Sequence, residues 1–169
     1  MLHILKNRIL KGVVTRHIGL KLSKEMESAG SELSSLIRKK FGRSLHIREV
    51  DTGSCGACES EIIAANNPIY DLQRFGIQFV ASPRHADCLL ATGPVSKNMF
   101  MALKKTYEAM PEPKFVITCG DCALDGGLFK DSYYVQGPVK DILPVVLHIP
   151  GCPPDPLTII TTLLDFLRK

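Results

Sequence analysis

No stretch of this chain offers the roughly 18 uninterrupted apolar residues of a membrane span, because charge, glycine or proline interrupts every candidate run. The chain is therefore not expected to cross a bilayer by itself. The amino terminus lacks the continuous apolar segment and small-residue cleavage site of a signal peptide, so the six cysteines are not read as a disulfide framework. A reducing, cytoplasmic compartment is expected. Residues 1–40 contain no aromatic side chain on which a base could stack, and their basic residues are interleaved with aliphatics, so nucleic-acid binding is not expected either. With 169 residues, 45% of them hydrophobic, there is enough chain for one domain with a sizeable core and little room for a second.

The net charge of +4 is unevenly spread. Residues 1–43 hold ten Lys or Arg against three Glu, a net +7, and the remainder of the chain carries −3. Within this basic arm Leu2, Leu5, Ile9, Val13 and Leu20 fall near one helical face, while Lys6, Arg8, Lys11, Arg16, Lys21 and Lys24 occupy the rest. Such a helix suits an anionic membrane surface or an apolar patch on a partner subunit; packing against its own domain with a solvated charged face is the plainer alternative. Ser31 to Arg43 reads as a second short amphipathic helix or turn, ending at Gly42 and delivering the chain to the globular domain at residue 44.

From residue 45 short apolar strands alternate with helices. Strands are expected at Leu45 to Val50, Ile77 to Ala81, Asp87 to Ala91, Phe115 to Thr118 and Val145 to Ile149. Helices are expected after Cys58 as far as Asn66-Asn67-Pro68, over Ser96 to Met110, and over Pro156 to Leu167 with proline in the first turn. This is an α/β pattern with a mostly parallel sheet.

Four cysteines sit tellingly on that outline: Cys55-x-x-Cys58 opened by Gly53-Ser54, Cys122 in Gly120-Asp121-Cys122-Ala123, and Cys152 in Gly151-Cys152-Pro153-Pro154. Each group follows the carboxyl end of an expected strand. In an open parallel sheet those ends share one edge, where ligands bind, so residues far apart in sequence converge there. Gly53, Gly93, Gly120 and Gly151 lie in the same loops and allow sharp bends and close backbone approach. Four gathered thiolates are the usual ligand set of one 4Fe-4S cluster, which makes electron transfer the leading expectation. Cys55-x-x-Cys58 with Cys119-x-x-Cys122 is also formally a pair of zinc-type motifs, but ribbon pairs usually lie about 15–20 residues apart. Here a strand-helix-strand unit intervenes. Spacing fits a cluster best and leaves structural zinc and a dithiol redox pair open.

Five ordered motifs carry a resemblance. Gly53-Ser54-Cys55-Gly56-Ala57-Cys58-Glu59, Ala81-Ser82-Pro83-Arg84-His85-Ala86-Asp87, Met110-Pro111-Glu112-Pro113, Gly120-Asp121-Cys122-Ala123 with Gly126-Gly127, and Ile149-Pro150-Gly151-Cys152-Pro153-Pro154 resemble the small subunit of group 4, energy-converting membrane-bound nickel-iron hydrogenases. Respiratory complex I shares this subunit as its 20 kDa or B subunit. The resemblance runs from about residue 47 to 165. It implies a flavodoxin-like fold with helices on both faces of the sheet, a helical arm over 1–43, and a 44–169 domain holding one 4Fe-4S cluster beside a catalytic large subunit. It also implies Cys55, Cys58, Cys122 and Cys152 as ligands, because the family's third cysteine precedes Gly-Gly and matches Cys122, not Cys119. Cys119 then becomes a small strand-end residue near the cluster, either inert or acting as redox modulator or alternative ligand, and Cys88 a core residue. Small subunits with three clusters need roughly a dozen ligands, more than six cysteines supply, so one cluster is implied.

Complex I members carry adjacent cysteines at the first ligand pair, whereas hydrogenase small subunits carry C-x-x-C. The resemblance therefore points to the hydrogenase branch, including formate hydrogenlyase-type complexes. The corresponding small subunit of a complex I-type quinone or sulfur reductase is the alternative, and an isolated zinc-stabilised domain stands behind both. The implied partners are a nickel-iron-type large subunit, a ferredoxin-like iron-sulfur subunit and membrane subunits. The chain would have no active site of its own and would lie peripherally on the cytoplasmic face of the membrane, touching it indirectly or through residues 1–24. Around the cysteines, Glu59 and Glu61 fit a favourable first helical turn or a hydrogen-bonding, proton-handling role. Arg84 fits either an ordinary ion pair or a fixed charge near the cluster and the subunit contact. Gly151 is a candidate cluster neighbour, and His85 reads as a loop residue. Ile62, Ile63, Met99 and Phe100 suit either core or interface.

Overall fold

The computed structural model of the protein describes residues 24–169 together with Lys6 and Leu10. The expected helix through Leu2, Leu5, Ile9, Val13 and Leu20 lies outside the described residues, as does its docking surface.

Five parallel strands form the central sheet: β1 (Leu45–Asp51), β2 (Ile77–Phe79), β3 (Cys88–Thr92), β5 (Phe115–Cys119) and β7 (Val145–Ile149), in the order β2-β1-β3-β5-β7. Counted among themselves they run 2-1-3-4-5, the flavodoxin-like order. The side-chain period of two divides them between two cores. Cys88, Leu90, Ile117, Cys119 and Ile149 face one side with helices α1 (Lys24–Phe41), α2 (Ala57–Ala65) and α5 (Pro156–Arg168). Leu89, Ala91 and Val116 face the other, against Leu103 of α3 (Phe100–Ala109) and Ala123 of the short α4 (Asp121–Asp125). All five residues of β3 are buried, as a strand covered on both faces requires.

Most expected elements form within one or two residues of their expected limits. The sharpest difference is α1, which begins at Lys24, a full seven residues before Ser31. Met26, Gly30, Leu33 and Ile37 recur at helical spacing and are buried, so this half of the basic segment is a layer of the core packed on α5. Gly30 lies inside the helix where Phe75 packs so closely that an added Cβ would stand 2.4 Å from its ring. Acids in the first turn (Glu25, Glu27) and bases in the last (Arg38, Lys39, Lys40) match the helix dipole. At α5, Asp155 caps the first turn by accepting from the Thr158 amide at 2.7 Å, and Pro156 occupies the first helical position. Helix α3 starts at Phe100 instead of Ser96 because Val95–Ser96 forms β4, paired antiparallel with β6 (Val135–Gly137) in a small ribbon beside the sheet.

Candidate metal-cluster site

The carboxyl edge of the sheet is held by hydrogen bonds that side chains make to backbone. After β1, Asp51 Oδ1 accepts from the Gly53 and Ser54 amides at 2.8 Å each, and buried Thr52 Oγ1 lies 2.7 Å from the carbonyl oxygens of both Thr92 and Gly93, which share its one hydroxyl hydrogen. Gly93 lies so close to the Cys55 loop that an added Cβ would stand 2.5 Å from Ser54 Cα. This lashes the first cysteine loop to the end of β3. Gly56, with φ +87, turns the chain into α2, leaving Cys55 before the turn and Cys58 in the first helical turn.

The loops after β5 and β7 are joined in the same way. The Asp121 amide donates to Gly151 O and the Gly151 amide donates to Asp121 Oδ1, both at 2.9 Å, while the Gly120 amide reaches Ile149 O at 2.9 Å. His148 stands behind this latch, with Nε2 3.5 Å from Asp121 Oδ1 and Nδ1 3.1 Å from the hydroxyl of buried Thr118. Residues directly before Cys122 and Cys152 are thus fixed to each other, so these two thiols come together although 30 positions separate them.

All four thiols, Cys55, Cys58, Cys122 and Cys152, line one small cleft whose walls include Pro94, Phe129 and Pro153. Glycine makes the room. A Cβ on Gly120 would stand 2.5 Å from Cys58 Sγ, and one on Gly127 at the same distance from Cys122 Sγ. Every cysteine is a free thiol. Among the described residues no three His, Cys, Asp or Glu side chains stand close enough to share one metal ion. A single zinc with bonds of about 2.3 Å would need its sulfurs within about 4 Å of one another. A four-iron cluster takes one thiolate on each iron, so its ligands stand farther apart, and soft sulfur donors around a cleft with glycine-thinned walls fit that group.

Cys119, at the end of β5, is fully buried, and its side chain lies beside that of Cys58, which packs against the same core. That contact draws the Cys58 thiol below its ordinary value, and the same contact with burial pushes Cys119 far up. Burial also raises Cys122. Cys88 sits fully buried at the start of β3, at the opposite edge.

Of the other expected site residues, Glu59 is in the first turn of α2 and accepts from Ser54 Oγ at 2.7 Å, while its second oxygen is buried without a hydrogen-bond partner. Glu49 lies near it on β1, its carboxyl raised first by burial and then by the charges of Glu59 and Asp51. Gly151 is the latch residue. Arg84 is exposed in the turn after β2, where it makes no ion pair with a described residue, and it does not line the cleft. The apolar quartet divides: Ile62 is buried, Met99 and Phe100 pack on the second core, and Ile63 is 72% exposed. Sequence reasoning missed Asp121, His148, Thr52 and Ser54. Asp121 and Ser54 stood inside the motifs, but the partners of Asp121 lie on β7 and in the loop after it.

Residues 55–166 match the family described as NADH ubiquinone oxidoreductase, 20 Kd subunit, and the chain belongs to that family. A probable membrane-bound hydrogenase subunit of Pyrococcus furiosus is 45% identical over 131 residues, 78% of each chain. An NADH-quinone oxidoreductase subunit of Citrifermentans bemidjiense is 46% identical over 118 residues, 70% of this chain and 69% of the relative. Among solved structures, the membrane-bound sulfane sulfur reductase, an archaeal respiratory membrane complex, contains a chain 32% identical to this one. The match has a TM-score of 0.66 and covers 81% of this chain and 74% of that one.

Proposed function

We propose that this chain is the electron-transfer small subunit of a membrane-bound, energy-converting nickel-iron hydrogenase or formate hydrogenlyase-type complex, holding one 4Fe-4S cluster on Cys55, Cys58, Cys122 and Cys152. The observation that carries this reading is the convergence of four free thiols from three strand-end loops on one cleft. A bound cluster would supply one-electron transfer. The chain's own residues position the four sulfurs, thin the walls with glycine and limit water through Pro94, Phe129 and Pro153.

Identity alone does not separate the branches, since the hydrogenase and quinone-oxidoreductase relatives match almost equally well. The C-x-x-C spacing favours the hydrogenase branch, and a complex I-type quinone or sulfur reductase is the second reading, supported by the sulfane sulfur reductase likeness. Substrate chemistry then belongs to a nickel-iron-type large subunit, with a ferredoxin-like subunit and membrane subunits completing the complex. Leu128 (91% exposed) and Tyr133 (86%) follow Cys122 in the chain, with Phe129 at the cleft itself; apolar exposure of this size supports a subunit contact there. No helix among the described residues is long and apolar enough to cross a membrane. Peripheral attachment on the cytoplasmic face, indirect or through residues 1–24, completes the reading.

Iron and acid-labile sulfide analysis of the chain, with EPR of the reduced form, tests it. About four irons and an EPR signal abolished in Cys122→Ala are expected. One zinc and no iron, or an unchanged signal in Cys122→Ala, would overturn it.

A further inference from the structure

Two cysteines stand outside the proposed ligand set. Cys88 and Cys119 are equally buried, at 0% exposure, and each stands at one end of a strand of the same sheet. Cys88 begins β3 between Ile47 and Phe115, at the edge away from the cleft. Cys119 finishes β5 between Thr92 and Ile149, at the edge where the cleft opens. It does not line that cleft, yet its side chain lies beside that of Cys58, which does and which packs against the same core. The contact follows from the local chain: because Gly120 has no side chain, Cys58 Sγ sits directly over the end of β5, in the place a Cβ would occupy. Cys119 is thus a group held behind a ligand, not a fifth ligand facing the cleft.

We propose that Cys119 is a positioning residue for the cluster, its S–H donating a hydrogen bond to the Cys58 sulfur and raising the reduction potential of the centre bound there. The inference rests on the cluster reading above. Direction follows from bonding: a thiolate bound to iron carries no hydrogen, so the one hydrogen shared by this pair belongs to Cys119. A hydrogen bond onto a ligand sulfur withdraws charge from it and favours the reduced, more negative state; hydrogen bonds to cluster sulfurs are among the levers that set such potentials. The buried setting makes the contact count for more than it would in water.

The full-length chain, reconstituted anaerobically with iron and sulfide, provides the test through an EPR-monitored redox titration of four variants beside the wild type. Cys119→Ala and Cys119→Val remove the donor, one leaving a space and one filling it, and both are expected to lower the midpoint potential. Cys119→Ser keeps a donor and is expected to titrate above both. Cys88→Ala makes the same chemical change at the opposite edge and is expected to leave the potential unchanged. An unshifted potential in the alanine and valine variants, or an equal shift in Cys88→Ala, would overturn the proposal. A wild-type chain that takes up no iron would instead overturn the cluster reading on which it stands.

Discussion

The two edges of the parallel sheet begin and end the same strands, yet they are built differently. At the amino edge, Arg43 holds Asp87 with two hydrogen bonds of 3.0 and 2.7 Å, Asp87 also accepts from the His46 amide, and Leu45, Ile77 and Cys88 lie buried behind them. Ordinary packing and ion pairing suffice there. At the carboxyl edge, Gly53, Gly56, Gly93, Gly120 and Gly151 all take positive φ, and the loops are held by carboxylate caps instead of apolar packing. The thiols this exposes would be poor choices for stability alone. One edge closes the fold and the other keeps four reactive groups apart at fixed positions.

Two glycines, one at each edge, give the largest test of that contrast. Gly120→Ala combines a backbone conformation that costs about 1–3 kcal/mol with a clash against Cys58 Sγ, so thermal denaturation should show the destabilisation and iron content after reconstitution should fall steeply. Gly42→Ala, also at positive φ but with open space around it, should cost about 1–2 kcal/mol and leave iron content unchanged. Equal iron loss in both would dissolve the distinction between the edges. Next in size is Asp121→Ala, which unfastens Cys122 from Cys152. A loss of about 1 kcal/mol is expected, with faster release of iron to a chelator than in the wild type.

Arg43→Ala, the counterpart at the amino edge, should cost up to about 1 kcal/mol, and the cost should shrink as salt is raised, without any change in iron release. The smallest effect concerns Glu32, which Arg168 holds below its ordinary value of 4.5 through a hydrogen bond. A depressed carboxyl contributes stability above its unfolded value and loses it as pH falls through the folded one. The stability difference between wild type and Glu32→Gln should therefore be present near neutrality and fade in acid below about pH 4.5, as followed by urea denaturation at a series of pH values.

How far the sequence revealed this contrast depends on the range of the interactions. Strands such as Phe115–Cys119 and Val145–Ile149 were legible because apolar runs bounded by Gly and Pro carry their own signal. The placement of all four cysteines after strands was legible for the same reason. The start of α1 at Lys24 instead of Ser31 was not legible, because the place of Gly30 inside the helix depends on the Phe75 ring, far along the chain. The β4–β6 ribbon escaped because strands of two and three residues have no periodicity to read. The Asp121–Gly151–His148 latch and the Cys58–Cys119 contact escaped because each joins residues far apart in the chain, and no local pattern announces which carboxylate or thiol the fold will bring alongside.

The packing of Lys24–Phe41 on Pro156–Arg168 has a consequence for biosynthesis. Lys24–Phe41 is covered in part by Phe75 and in larger part by Pro156–Arg168, so during translation much of its apolar stripe stays unpaired until residues 156–168 have left the ribosome. Cys152 emerges just before that segment. Covering of this helix and completion of the thiol quartet are therefore nearly simultaneous events, and a nascent chain stalled before residue 152 would present three of the four cysteines on an unfinished domain.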